Sequence, residues 1–261
     1  MTDYETLHVT LQDGVMKIIL DHPKANAFNQ TMVDELMAAL KSADRDRAIR
    51  CLLLTGAGRI FSAGQDLDAL GQVDGEVSFR AHLQKTYNLI ILRMRSLEKP
   101  IVGAINGPAA GAGLGIALAT DIRLASDPAR FVFGFSGIGL TSDSGTSISL
   151  PRLIGLARAS HMAFTNEPVT AQDALAWGMV NRVVPADDLM EEAETLASKL
   201  AKSPTRSIGL TKRAFNRAVF PDLAEALDYE AHLQEIAGRT EDHAEGVAAF
   251  KEKRPPEFSG S

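Results

Sequence analysis

Three short stretches hold the residues best suited to chemistry. Asp143 stands in Gly139-Leu140-Thr141-Ser142-Asp143-Ser144-Gly145-Thr146, a carboxylate among small residues just ahead of the apolar positions Ile148, Leu150 and Leu153. Two readings fit it. An aspartate there can cap the following helix, or it can move protons if burial lifts it from its ordinary pKa of about 3.9. The second stretch is Asn106-Gly107-Pro108-Ala109-Ala110-Gly111-Ala112-Gly113-Leu114-Gly115, between the strand-like Pro100–Ile105 and the apolar Ile116–Ala119. That order is strand, small-residue turn, buried helix. A helix start leaves N–H groups unpaired at the positive end of its dipole, a place for an oxygen gaining negative charge. Tight packing of helix on strand accounts for the same residues. The third stretch, Ala63-Gly64-Gln65-Asp66-Leu67, follows a strand and makes a turn able to aim a backbone N–H.

Other chemistries find no support. Gly111, Gly113 and Gly115 are spaced G-x-G-x-G, and Ile116 stands where a dinucleotide fingerprint needs its third glycine. No P-loop pattern occurs, and Gly134-Phe135-Ser136-Gly137-Ile138 lacks the last glycine of a hydrolase elbow. One cysteine and six scattered histidines give no zinc spacing, and the histidines read as surface or packing residues. Cys51, in an apolar run, reads as core.

The chain has 261 residues, 45% hydrophobic and 23% charged, with net charge -6 and mixed signs along its length. That suits a globular protein with a sizeable core and argues against nucleic-acid or membrane partners. No signal pattern opens the chain and no run is long enough to span a bilayer; a cytoplasmic setting is the expectation.

The elements that must position these stretches follow from pattern. His8–Leu11 and Val15–Leu20 read as a hairpin about Asp13-Gly14. Asn29 caps a helix with apolar positions Val33, Leu36, Met37 and Leu40. Arg50–Thr55 is a buried strand, and residues 68–77 read as a mobile acidic surface segment. One long amphipathic helix runs from about Ser78, with the stripe Leu83, Tyr87, Ile90, Ile91, Met94 and Leu97, until Pro100 stops it. Asp121–Ala125, Phe131–Phe133 and Val180–Val184 read as strands, and Thr170-Ala171-Gln172-Asp173 as a capping box. Helices carry the chain from Leu189 to about Lys253. A soft boundary near Ser203 divides a core, 1–203, from a helical segment, 204–261, too thin to hold its own core.

At these residues the sequence resembles the crotonase, or enoyl-CoA hydratase/isomerase, family. Cys51–Leu67 matches the family's first signature, and Ile105–Gly115 running on to Asp121-Ile122 its second. Ala171–Asn181 and Glu245–Arg254 match later blocks. The resemblance covers essentially the whole chain. It implies an α/β fold, a ββα superhelix closed by C-terminal helices that build homotrimers, often paired into hexamers. It also implies acyl-CoA thioester substrates, with no metal and no cofactor beyond the CoA of the substrate.

By position, the N–H groups of Gln65 and Ala112 hold the thioester oxygen; being backbone donors, they leave their side chains free to vary. Lys24, Ala25 and Ala27 match the loop that grips the CoA nucleotide, and Phe250 and Lys253 match tail positions that touch CoA, either in the same chain or on a neighbouring subunit. Ala63, Gly64, Asp66, Leu67 and Gly111 flank the donors, and Phe135 and Leu140 wall the acyl pocket. The two glutamates of the family's hydratases correspond to Gly115 and Phe135, neither of which moves a proton. Asp143 instead falls where its isomerases carry their single acid/base. The tail Leu233–Gly246 resembles the branch that isomerises ring epoxides of phenylacetyl-CoA. The expected reaction is therefore an acyl-CoA isomerisation, of a 3-enoyl-CoA double bond or a ring 1,2-epoxyphenylacetyl-CoA. The alternatives are a hydratase, a hydrolytic aroyl-CoA dehalogenase, whose ring-packing tryptophan is Phe135 here, and a non-catalytic acyl-CoA binder.

Overall fold

The computed structural model describes residues 4–23, 25–70 and 78–261. Lys24 and residues 71–77 lie outside them, and with them most of the segment expected at 68–77. The chain opens with β1 (Leu7–Gln12), β2 (Val15–Leu20), α1 (Gln30–Arg45) and β3 (Cys51–Gly56). It continues through α2 (Leu67–Leu70), α3 (Phe79–Lys85), α4 (Tyr87–Ser96), β4 (Ile101–Ile105), β5 (Ala109–Ala110) and α5 (Ala112–Ala119). Then come β6 (Ile122–Ser126), β7 (Arg130–Val132), α6 (Thr146–Ile154), α7 (Leu156–Thr165), β8 (Val169–Thr170), α8 (Ala171–Ala176) and β9 (Arg182–Val184). Four helices close it: α9 (Leu189–Ala201), α10 (Thr205–Val219), α11 (Leu223–Ala237) and α12 (Glu241–Glu252).

The main sheet has the order β1-β2-β3-β4-β6-β9; only the β1–β2 hairpin is antiparallel. Its centre is covered on both sides, which is why β3 and β4 are uninterrupted apolar runs. Leu52 and Leu54 face the core built by α1, α4 and α5, while Cys51 and Leu53 face α9 through Ala193 and Ala197. Burial pushes the Cys51 thiol up to about 12, so it remains an inert packing group. Every residue of α5 is buried, as its lack of any polar face requires.

Asn29 caps α1 by accepting from the Met32 N–H at 2.8 Å, as expected. The single long helix expected from Ser78 is instead two, α3 and α4. They part at Thr86 (φ −120°, ψ −96°), whose hydroxyl donates to His82 O at 2.7 Å. The apolar stripe runs through both, so periodicity alone does not reveal the break. The two-residue strands β5 and β8 also escaped expectation; with β7 they make a small second sheet.

The last helices pack on the sheet-bearing part. On α10, Lys212 is buried, and its Nζ donates to Asp121 Oδ2 at 2.7 Å and Met94 O at 2.9 Å. Arg95 reaches the other oxygen of Asp121 at 3.2 Å. α11 lies along α3, and α12 covers the 3-10 turn Ser136–Ile138. Among the described residues, no helix is long and apolar enough to cross a membrane.

Candidate active site

The turn after β3 and the turn before α5 are stitched edge to edge. Ser62 N donates to Pro108 O at 3.2 Å, and Ala110 N donates to Ser62 O at 3.0 Å. Gly64 completes the junction at φ +90°, a left-handed conformation suited to glycine. A Cβ there would meet Ala110 O at 2.7 Å and Ala112 N at 3.2 Å. The next residue, Gln65, and the first residue of α5, Ala112, have no partner for their backbone N–H groups among the described residues. Two unpaired donors thus stand on adjoining turns, one of them at a helix start.

Both residues line a cavity of about 530 Å³ with mostly apolar walls, including Phe79, Leu83, Phe135, Ile138 and Leu140. Ala25, Ala27, Ala63, Asp66, Leu67, Gly111 and Phe250 also line it. Gly64, buried between Ala63 and Gln65, does not itself line it. Lys253 is the exposed left-handed cap of α12 (φ 56°) and does not line this cavity of the single chain, whereas Lys251 does. The helix geometry explains this, since Lys251 follows Phe250 within the last turn whereas Lys253 is where the chain leaves the helix.

Asp143 lies in the same cavity, only 8% exposed. It does not cap α6. That task falls to Glu230 of α11, which accepts from Gly145 N at 2.9 Å and Ser147 N at 2.8 Å. Freed from capping, the Asp143 carboxylate receives Ser144 Oγ on Oδ1 at 2.7 Å and Gln234 Nε2 on Oδ2 at 2.9 Å. Burial pushes its pKa up to about 7, against the pull of those two hydrogen bonds and with a further push from the nearby Glu230. A carboxylate poised near neutrality can both accept and return a proton.

Gln234 is set by its other end: Thr141 N donates to its Oε1 at 3.0 Å, so its amide N–H must face Asp143. Gln234→Leu removes a bond that favours the ionised carboxylate and is expected to raise the Asp143 pKa. A charged hydrogen bond is worth about 1.5–3 kcal/mol. The acid limb of a rate–pH profile should therefore move upward by about one to two pH units, which initial rates between pH 5 and 9 will measure.

Sequence reasoning missed several lining residues. Tyr87 counted only as part of an apolar stripe, and His82 as a surface or packing residue; both line the cavity and hydrogen-bond to Gln65. Burial lowers the His82 pKa and, more strongly than the neighbouring carboxylates, raises that of Tyr87. Gln234 was visible only as a member of the resembling tail block. Gly115, at a hydratase glutamate position, is closed off: a Cβ there would lie 2.4 Å from the Ser144 Cβ. Phe135 meets Phe133 edge-on, with ring centroids 5.0 Å apart.

Known proteins carry the same arrangement of chain. The enoyl-CoA hydratase/isomerase family model matches residues 10–261. The chain is 42% identical to the 1,2-epoxyphenylacetyl-CoA isomerase of Escherichia coli K12, across 100% of both chains. It is 39% identical to a probable enoyl-CoA hydratase of Rhodobacter capsulatus, across 98% of this chain and 99% of that one. The crystal structure of an enoyl-CoA hydratase from Mycobacterium avium subsp. paratuberculosis superposes with a TM-score of 0.89 at 33% identity, covering 98% of this chain and 100% of that one. The mixed α/β architecture is thus the crotonase fold, and the chain is an enzyme of the enoyl-CoA hydratase/isomerase family.

Proposed function

We propose that this enzyme is an acyl-CoA isomerase that moves a double bond of a 3-enoyl thioester into conjugation, with Asp143 as its one acid/base. The observation that carries the reading is the Asp143 carboxylate, buried in an apolar cavity and pushed up to about 7. Asp143 removes a proton from the carbon beside the thioester carbonyl. The electron pair moves onto the carbonyl oxygen, giving an enolate conjugated with the double bond. The N–H groups of Gln65 and Ala112 receive that negative charge; each such donor lowers the barrier by roughly 3–4 kcal/mol. Asp143 then returns the proton at the γ carbon, and the double bond closes next to the carbonyl.

The E. coli relative named as a 1,2-epoxyphenylacetyl-CoA isomerase supports a ring-epoxide thioester as a second substrate of the same site. The phenyl-sized walls contributed by Phe79, Tyr87 and Phe135 suit a ring. The CoA portion lies at the mouth beside Ala25, Ala27 and Phe250, with no further cofactor, and the chain works as a homotrimer or hexamer.

Relatives named as probable hydratases favour a second reading, addition of water to a 2-enoyl-CoA. One experiment separates the two. The enzyme is incubated with a 3-enoyl-CoA and, separately, with the 2-enoyl-CoA, and products are followed by ultraviolet absorbance and mass. Conjugated product without mass change is expected from the first, and no 3-hydroxyacyl-CoA from the second. Rapid hydration with no isomerisation would overturn the assignment.

A further inference from the structure

The Gln65 side chain was expected to be free to vary, because only its backbone N–H faces the substrate. The structure gives it no freedom. Its Nε2 donates to Phe28 O and to Asp66 O, each at 3.0 Å. Its Oε1 receives Tyr87 Oη at 2.7 Å and His82 Nε2 at 3.0 Å. Two N–H donors and two lone pairs are the whole capacity of a primary amide, and all four are used. The two carbonyls on one side fix which end of the amide is nitrogen. The oxygen end then requires donors from both partners, so His82 carries its proton on Nε2.

The geometry points to a positioning device: His82 and Tyr87 lock the Gln65 amide and thereby hold the Gln65 backbone N–H on the thioester oxygen. This inference rests on the oxyanion role proposed above for that N–H. The break between α3 and α4 is what permits it. In a continuous helix, residues five apart point about 140° away from each other. The turn at Thr86 redirects the chain, and the side chains at 82 and 87 converge on one oxygen. α3 is in turn fastened to α11, where Glu235 accepts from Ser78 Oγ and Arg80 N at 3.0 Å and Asp228 accepts from Gln84 at 2.6 Å. α11 also carries Gln234 and Glu230, which hold the Asp143 loop. One helix pair therefore sets both the proton-moving carboxylate and one charge-receiving donor.

The test uses Tyr87→Phe, His82→Leu and His82→Gln in the full-length enzyme, the last retaining a donor at the same reach. Turnover of 3-enoyl-CoA is measured, with the carbonyl band of a bound 2-enoyl-CoA followed by Raman difference spectroscopy. Tyr87→Phe and His82→Leu are expected to lower kcat by about tenfold to hundredfold at nearly constant KM. They should also shrink the downward shift that the donors impose on the carbonyl band, and His82→Gln should restore both. An unchanged band and kcat in Tyr87→Phe and His82→Leu would overturn the inference. So would a loss in KM and melting temperature, with the band intact, that His82→Gln does not rescue. The band needs only a bound thioester, so it judges the positioning role even if the isomerase assignment fails; Asp143→Asn, which leaves the donors in place, should keep the shift.

Discussion

Asp143→Asn is expected to lower kcat on 3-enoyl-CoA by about a hundredfold to ten-thousandfold while making the protein more stable above neutral pH. The loss of rate follows from the proposed proton shuttle, because its carboxylate is replaced by an amide; general acid–base catalysis is worth about 10²–10⁴. The amide fits. Its oxygen can accept from Gln234 Nε2, and its nitrogen can donate to Ser144 Oγ, which has no other hydrogen bond among the described residues. The gain in stability follows from linkage. In the unfolded chain the carboxyl titrates at about 3.9, whereas in the fold burial raises it to about 7. Between those values the folded state holds a proton the unfolded state has lost, so wild-type stability falls as pH rises from about 4 to about 7. Above that range the penalty is constant, on the order of 4 kcal/mol. The asparagine variant escapes it. Thermal melts at pH 4 and pH 8 check this: the two proteins should melt together at pH 4, and the variant should melt higher at pH 8. Full activity in Asp143→Asn would end the proton-shuttle reading.

What was legible in the sequence is what local pattern encodes. The buried strands β3 and β4 show as unbroken apolar runs, α5 as a helix with no polar face, and the Asn29 cap as a polar residue before an apolar period. The two donor turns showed as small residues flanked by a strand and a helix. What remained hidden depends on distant residues. Glu230 lies 85 residues from the Gly145 N–H it receives, and Gln234 lies 91 residues from Asp143. Without them local rules at position 143 favour the cap, and only the family resemblance pointed to the acid/base. Lys253, matched by position to a residue that touches CoA, stands outside this cavity in the single chain, where Lys251, two residues earlier in the helix, lines it. Gln65 failed for a third reason. A residue used through its backbone looks tolerant, yet the direction of a backbone N–H depends on what holds the side chain beside it.

The same logic makes Gly64 the position where the smallest chemical change should cost the most rate outside Asp143. Gly64→Ala adds one methyl group, distant from any proton transfer. It is expected to lower kcat by about a hundredfold to a thousandfold, the cost of losing an oxyanion donor. Two strains act together. An alanine is disfavoured at φ +90°, and its methyl would press on Ala110 O at 2.7 Å and Ala112 N at 3.2 Å. Both contacts are backbone, so neither can swing aside as a flexible side chain would. The turn relieves itself only by separating from the start of α5 or by rotating the 64–65 peptide. Separation spreads the two donors, and rotation re-aims the Gln65 N–H, which belongs to that peptide. Asp143 stays on its own loop under Glu230 and Gln234, so its pH dependence should be unchanged. Gly64→Ala should therefore keep the acid limb near pH 7 with a much reduced plateau, the opposite signature to Gln234→Leu. A rate–pH profile of Gly64→Ala that retains the wild-type plateau would mean that the two turns tolerate separation, and that the charge on the oxygen is held elsewhere.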